Sequence, residues 1–167
     1  LLKKNISNKQ LIAIKKLKLE NFEIELRHSR HYPLGDQLAP LIGFYGTDGA
    51  QEGLEKSYDK VLAGQSGSQK YFKNAKQEII SQPIEISKTI QGKDIHLTID
   101  ATIQFFAYKY LVEAIHANKA EAGSVIVLDN KNGEVLAMAS YPSYNPNNPQ
   151  RKIQKNRVLV EAYELGS

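Results

Sequence analysis

Residues 100–141 read DATIQFFAYKYLVEAIHANKAEAGSVIVLDNKNGEVLAMASY, and this stretch decides the fold class. Asp100 is a good helix N-cap, because its short carboxylate can accept from the orphaned backbone N–H groups of the first turn. Behind it Ile103, Phe106, Ala107, Tyr110, Leu111, Ala114 and Ile115 recur at the spacing of an amphipathic helix. Fully burying each large member is worth ~1.5–3 kcal/mol, so the helix is expected to dock firmly with its Phe and Tyr rings in the core. It is expected to dock on the next two segments. SVIVLD (124–129) is almost continuously apolar, and EVLAMASY (134–141) follows the turn Asn130–Gly133. Together they read as a β-hairpin with one strand buried on both faces. A two-stranded hairpin is marginal alone, so it is expected to belong to a larger sheet. The fold class is α+β.

Working towards the start, DIHLTI (94–99) alternates at Ile95, Leu97 and Ile99, and PIEISKTI (83–90) at Ile84, Ile86 and Ile90. The residues between, Gln91–Asp94, would suit a hairpin or a sharp change of direction. Residues 65–78 are polar and rich in turn formers, and read as an exposed connection. LEKSYDKVLAG (54–64) places Leu54, Tyr58, Val61 and Leu62 on one helical face, with Gly64 as terminator. GFYGTDGAQEG (43–53) holds four glycines in eleven residues and must be a loop with special backbone angles. A short helix is expected through Leu38, Leu41 and Ile42, with Pro40 near its start. NFEIELRHSRHY (21–32) alternates as a half-buried strand, ended by Pro33 and Gly35. A first helix opens on Ser7, with Gln10 at capping-box spacing. Beyond residue 141 a Pro/Asn-rich loop runs to residue 156, and order resumes at VLVEAYE (158–164).

Composition removes several classes of function. Of 167 residues, 41% are hydrophobic and 24% charged, which allows a packed core. The net charge of +4 is scattered, with a mild lysine concentration from Lys3 to Lys18 and no basic–aromatic stripe, so nucleic acid is not an expected partner. There is no cysteine, and His28, His31, His96 and His116 lack the carboxylate arrangement of a zinc site; neither metal nor cofactor is expected. No apolar run approaches the ~20 residues of a membrane span, and the first ten residues lack the apolar core of a signal peptide.

The motifs RHYPLG (30–35), IGFYGTDGAQEGLE (42–55), VLAGQSG (61–67), LTIDATIQ (97–104), GSVIVLDNKNGEVLAMASYPSYNPNN (123–148), then NR (156–157) and YELGS (163–167) stand in a telling order. In that order and spacing the chain resembles class B penicillin-binding proteins, and more closely their division-specific, septal transpeptidases of the FtsI type. The septal preference rests mainly on GFYGTDGAQEGLE. The resemblance implies a pedestal module over residues 1–90, truncated at its start. It implies the opening part of a penicillin-binding transpeptidase domain over 91–167, truncated before its active site is complete. Ser167 falls on the acyl-serine nucleophile, although Leu165 stands where the family has proline, and the lysine three residues on, the S-x-N and the K-T-G lie outside these residues. A Gly-Ser pair is also a common linker end, an alternative origin for residues 166 and 167.

Arg30, Tyr32, Gly35, Gly53 and Glu55 match pedestal motifs and are expected to be structural, with Arg30 and Glu55 in a partly buried ion pair. Asp100 is expected to be a cap rather than a base. Internal look-alikes exist: SYDK (57–60), SYN (143–145) and KTI (88–90). Their order is wrong for the family and the last lacks its glycine, so they are read as decoys. The parent is expected on the periplasmic side of the bacterial inner membrane, anchored by an N-terminal helix outside these residues. The implied partners are peptidoglycan stem peptides, β-lactams, a membrane glycan polymerase and other division proteins. The stretch itself is expected to be inactive. A non-enzymatic periplasmic interaction module and the elongation-specific paralogue remain the alternatives.

Overall fold

The computed structural model describes residues 6–17, 29–76, 79–149 and 155–162. The strand expected at 22–26 and residue Ser167 lie outside them. Among the described residues α1 (Asn8–Lys16) opens with a complete capping box, Ser7 and Gln10 each bonding the other's backbone N–H. A single 3-10 turn (Gly35–Gln37) leads into α2 (Ala39–Ile42), where Pro40 falls in the first turn and forfeits no intrahelical bond.

The glycine-rich segment is more ordered than a loop. It folds as a minimal hairpin of β1 (Tyr45–Gly46) and β2 (Gly49–Ala50). Gly43 and Gly53, with φ of +78° and +63°, bring two backbones together at its base. A Cβ on Gly43 would lie 1.9 Å from the carbonyl oxygen of Glu52, so only glycine fits there. The helix expected over 54–62 is broken into α3 (Gly53–Ser57) and α4 (Asp59–Leu62), since Tyr58 leaves helical angles. Its expected apolar face is largely open to solvent at Tyr58 and Val61.

Residues 65–78 are not merely a connection. They contribute β3 (Ser68–Lys70), which pairs antiparallel with β4 (Ile84–Ser87). Residues 95–99 form no strand; Thr98 Oγ1 donates instead to the Val135 carbonyl at 2.7 Å and the Asp100 N–H to that of Leu136 at 2.9 Å. Alternation makes a segment competent for a strand, but whether it forms one depends on a partner that the pattern does not name.

The second half is built on α5 (Ala101–Asn118), β5 (Gly123–Leu128) and β6 (Val135–Tyr141), with the short α6 (Arg157–Val160) against both strands. Asp100 caps α5 through the N–H groups of Thr102 and Ile103 at 2.8 and 2.9 Å. The hairpin pairs from Gly123↔Tyr141 to Leu128↔Val135. The strand buried on both faces is β6, where Ala137, Ala139 and Ser140 are enclosed, while β5 alternates.

The face that α5 buries differs from the expected stripe. Gln104 is fully enclosed and Ile115 is buried, whereas Phe106 and Tyr110 are 44% and 59% exposed. Two strands are too narrow to cover the whole stripe. Its other edge, with Val125 and Val127, lines an open apolar groove. A small cluster of Ala39, Phe44 and Tyr144, with Tyr32 packed against it, lies where the first half meets the second.

Candidate functional site

Tyr32 anchors that meeting point. Its N–H donates to Asn147 Oδ1 and its carbonyl accepts from Asn147 Nδ2, both at 2.9 Å, so one side-chain amide imitates a paired strand. The Tyr32 hydroxyl accepts from the Tyr45 N–H at 2.7 Å and donates to Glu55 Oε1 at 3.2 Å. The same carboxylate oxygen meets Arg30 Nε at 3.3 Å, and the guanidinium lies 5.8 Å from the centre of the Tyr45 ring. Glu55 is 6% exposed, and among the described residues its other oxygen has no hydrogen-bond partner. Breaking such a half-buried pair from one side is costly, because the remaining charge stays desolvated. Burial, only partly offset by the Tyr45 N–H, pushes the Tyr32 phenol up to about 12.

Tyr144, on the segment after β6, reaches back into the first half. Its hydroxyl lies 3.2 Å from the Ala39 carbonyl and bonds Glu52 Oε1, and its ring meets Phe44 edge-on. Burial first, then the Glu52 bond, raises its phenol. Next to it Ser143 Oγ donates to the Asp36 carbonyl at 2.6 Å, and Tyr108 of α5 donates to Asp36 Oδ2 at 3.2 Å. Gln104 completes the junction. Its amide nitrogen donates to the carbonyls of Gln37 (2.7 Å) and Met138 (3.1 Å), and its oxygen accepts from the Met138 N–H (2.8 Å).

Arg30, Tyr32, Gly53 and Glu55 thus come together on one side of this junction. Gly35, with φ +53° and nothing near its missing Cβ, serves the turn before it. Asp100 sits apart, as the cap of α5. Ser57 and Lys60 fall on different sides of the helix break and are both exposed, while Ser143 is engaged with Asp36. Sequence reading missed Glu52, Gln104, Tyr144 and Asn147. Gln104 stands four residues after the cap, on the same helical face, which was the available signal. Among the described residues no cluster of His, Cys, Asp and Glu could hold a metal, and no helix is long and apolar enough to cross a membrane. The phenols, carboxylates and amides of the junction bond one another, which suits fastening rather than chemistry.

Two family models match the chain. The penicillin binding protein A dimerisation domain matches residues 8–85, and the penicillin binding protein transpeptidase domain matches residues 123–167. The probable peptidoglycan D,D-transpeptidase PenA of Neisseria gonorrhoeae is 40% identical over 172 residues, covering 99% of this chain and 30% of that protein. The peptidoglycan D,D-transpeptidase FtsI of Escherichia coli is 40% identical over 158 residues, covering 92% and 27%. The chain belongs to the class B penicillin-binding proteins, of the FtsI type. A solved peptidoglycan synthetase from Bifidobacterium adolescentis superposes on it with a TM-score of 0.72 at 30% identity, covering 99% of this chain and 31% of the other. Penicillin binding protein 2X from Streptococcus thermophilus gives 0.60 at 26% identity, covering 83% and 22%.

The chain spans about 30% of the length of the curated relatives it matches. In this penicillin-binding protein the junction ties the two matched regions directly. Tyr32, Asp36, Gln37, Ala39 and Glu52 fall within the dimerisation match, and Met138, Ser143, Tyr144 and Asn147 within the transpeptidase match. Gln104 belongs to neither and bridges them, and Tyr108, also in neither, bonds the first through Asp36.

Proposed function

We propose that these residues belong to a serine-type D,D-transpeptidase that cross-links peptidoglycan stem peptides during septal cell-wall synthesis. The observation that carries this reading is the succession, on one chain, of a dimerisation-domain match and a transpeptidase match with FtsI and PenA as relatives. In this reading residues 1–90 form the pedestal and 91–167 the opening of the transpeptidase domain. The junction orients the second on the first.

Ser167 is the assigned nucleophile. A serine hydroxyl attacks only when a base takes its proton, and a lysine one helical turn on can do so if burial lowers its pKa. Ser167 Oγ would add to the carbonyl between two terminal D-alanines, with backbone N–H groups holding the oxyanion. The C–N bond then breaks, the terminal D-alanine leaves with a proton, and an acyl ester remains. An amine of a neighbouring strand attacks that ester, forming the cross-link and returning the proton to Ser167. β-Lactams would acylate the same oxygen. The protein would act on the periplasmic side of the inner membrane, held by an N-terminal helix, with a membrane glycan polymerase and division proteins as partners.

The 167-residue stretch taken alone is assigned a structural, partner-docking role without activity. Fluorescent penicillin tests both assignments. The full reading frame carrying these residues should label covalently and lose the label with Ser167→Ala, while the 167-residue chain stays dark. Labelling that survives Ser167→Ala, or labelling of the 167-residue chain, overturns the assignment.

A further inference from the structure

The Tyr144 hydroxyl has one hydrogen, yet it lies within bonding distance of two acceptors, the Ala39 carbonyl and Glu52 Oε1. With Glu52 ionised, one proton must serve both oxygens or leave one contact between lone pairs. With Glu52 protonated the chain closes: the carboxyl donates to the phenol, and the phenol donates to Ala39. We propose that Glu52 is a proton-carrying latch in the folded protein, and that its proton fastens the Tyr144 segment to α2 and α3.

The surroundings favour the neutral carboxyl. Burial holds Glu52 above its ordinary range, outweighing the opposing effect of the tyrosine bond. Among the described residues Glu52 has no ion-pair partner, since Arg30, the cation of this junction, engages Glu55. The other titratable groups around the latch are Tyr144, Tyr32 beyond it, and Glu55 at the far side of Tyr32. None supplies a positive charge. The latch does not depend on the transpeptidase reading, since it rests only on contacts within these residues.

The sign of the pH dependence follows. A carboxyl whose folded pKa is raised gives stability that is fully present below the ordinary value of 4.5 and is lost as pH rises through the folded value. The junction therefore tightens in acid and slackens towards neutral and alkaline pH. Carbon-13 titration of the glutamate carboxyls in the intact protein, with Glu52 identified by its loss in Glu52→Gln, should place its midpoint above 4.5. Thermal unfolding of the wild type should fall as pH rises through that midpoint. Glu52→Gln, neutral at every pH, should flatten the fall. Tyr144→Phe should lower the melting temperature more in acid than in alkali, because in acid it removes two bonds, one accepted from Glu52 and one donated to Ala39, and in alkali a single one donated to Glu52. A Glu52 midpoint at or below the ordinary value, a Glu52→Gln profile parallel to the wild type, or a Tyr144→Phe loss that is the same at all pH values sinks the proposal.

Discussion

Gln104 makes three hydrogen bonds from a position with no exposure at all, to Gln37 on one side and Met138 on the other. Replacing it with leucine keeps the volume and strands three partly buried backbone groups. A fully buried orphan costs ~1–3 kcal/mol and a partly buried one less, so Gln104→Leu should lose about 2–3 kcal/mol in urea unfolding. Asn147 makes two bonds in an exposed place, where water can substitute. Asn147→Ala should cost only about 1 kcal/mol by the same measurement. The two amides also show what the sequence conceals. Helical spacing puts Gln104 on the face of Leu111 and Ile115, but nothing local reveals that two strangers in sequence will bring their carbonyls to it. Arg30, Tyr32 and Glu55 were legible only because their motif could be matched to a family. Their partners Tyr45 and Asn147 also lie within the matched motifs, but nothing in those motifs pairs them with Arg30, Tyr32 or Glu55.

Elements follow the same division between local and distant causes. The capping box of α1, the Asp100 cap of α5, the turn into α2 and the β5–β6 hairpin rest on contacts within a few residues, and the sequence shows them. Asp100→Ala removes acceptors for two N–H groups and should cost about 1 kcal/mol of stability, read by urea unfolding. The β3–β4 pairing was hidden because many partners satisfy the alternation of residues 84–90. What selects β3 is close backbone approach: a Cβ on Gly67 would lie 2.7 Å from the Ser87 carbonyl oxygen. Glycine positions give a sharper test. Gly43→Ala meets the Glu52 carbonyl at a positive φ and should abolish or severely reduce folding, whereas Gly35→Ala meets nothing and pays only for its backbone angle, about 1 kcal/mol. Comparable losses for the two, by circular-dichroism melting, would contradict the packing described at the β1–β2 hairpin.

On the scale of the whole molecule, the junction joins regions far apart in sequence, from residue 30 to residue 147. Amides of residues 35–55 and of 100–141 should therefore exchange with solvent in one cooperative unit. The β3–β4 ribbon bonds mainly to itself and exposes Ile84 and Ile86, so its amides should exchange faster and independently. Hydrogen-exchange mass spectrometry distinguishes the two behaviours, and equal protection throughout would refute the division. The family and the α+β class were readable from ordered motifs. The contact between halves was not, because it is made of side chains whose partners lie about a hundred residues away.

The placement of Gln104 has a mechanical corollary. A helix resting on an oily surface can roll or slip by a fraction of a turn at little expense, since grease has no preferred register. A single amide gripping a turn on its left and a strand on its right removes that freedom, because any rotation that relaxes one grip strains the other. The long helix is thereby keyed like a shaft in its housing, and whatever pushes on the turn at 35–37 pushes on the strand as well.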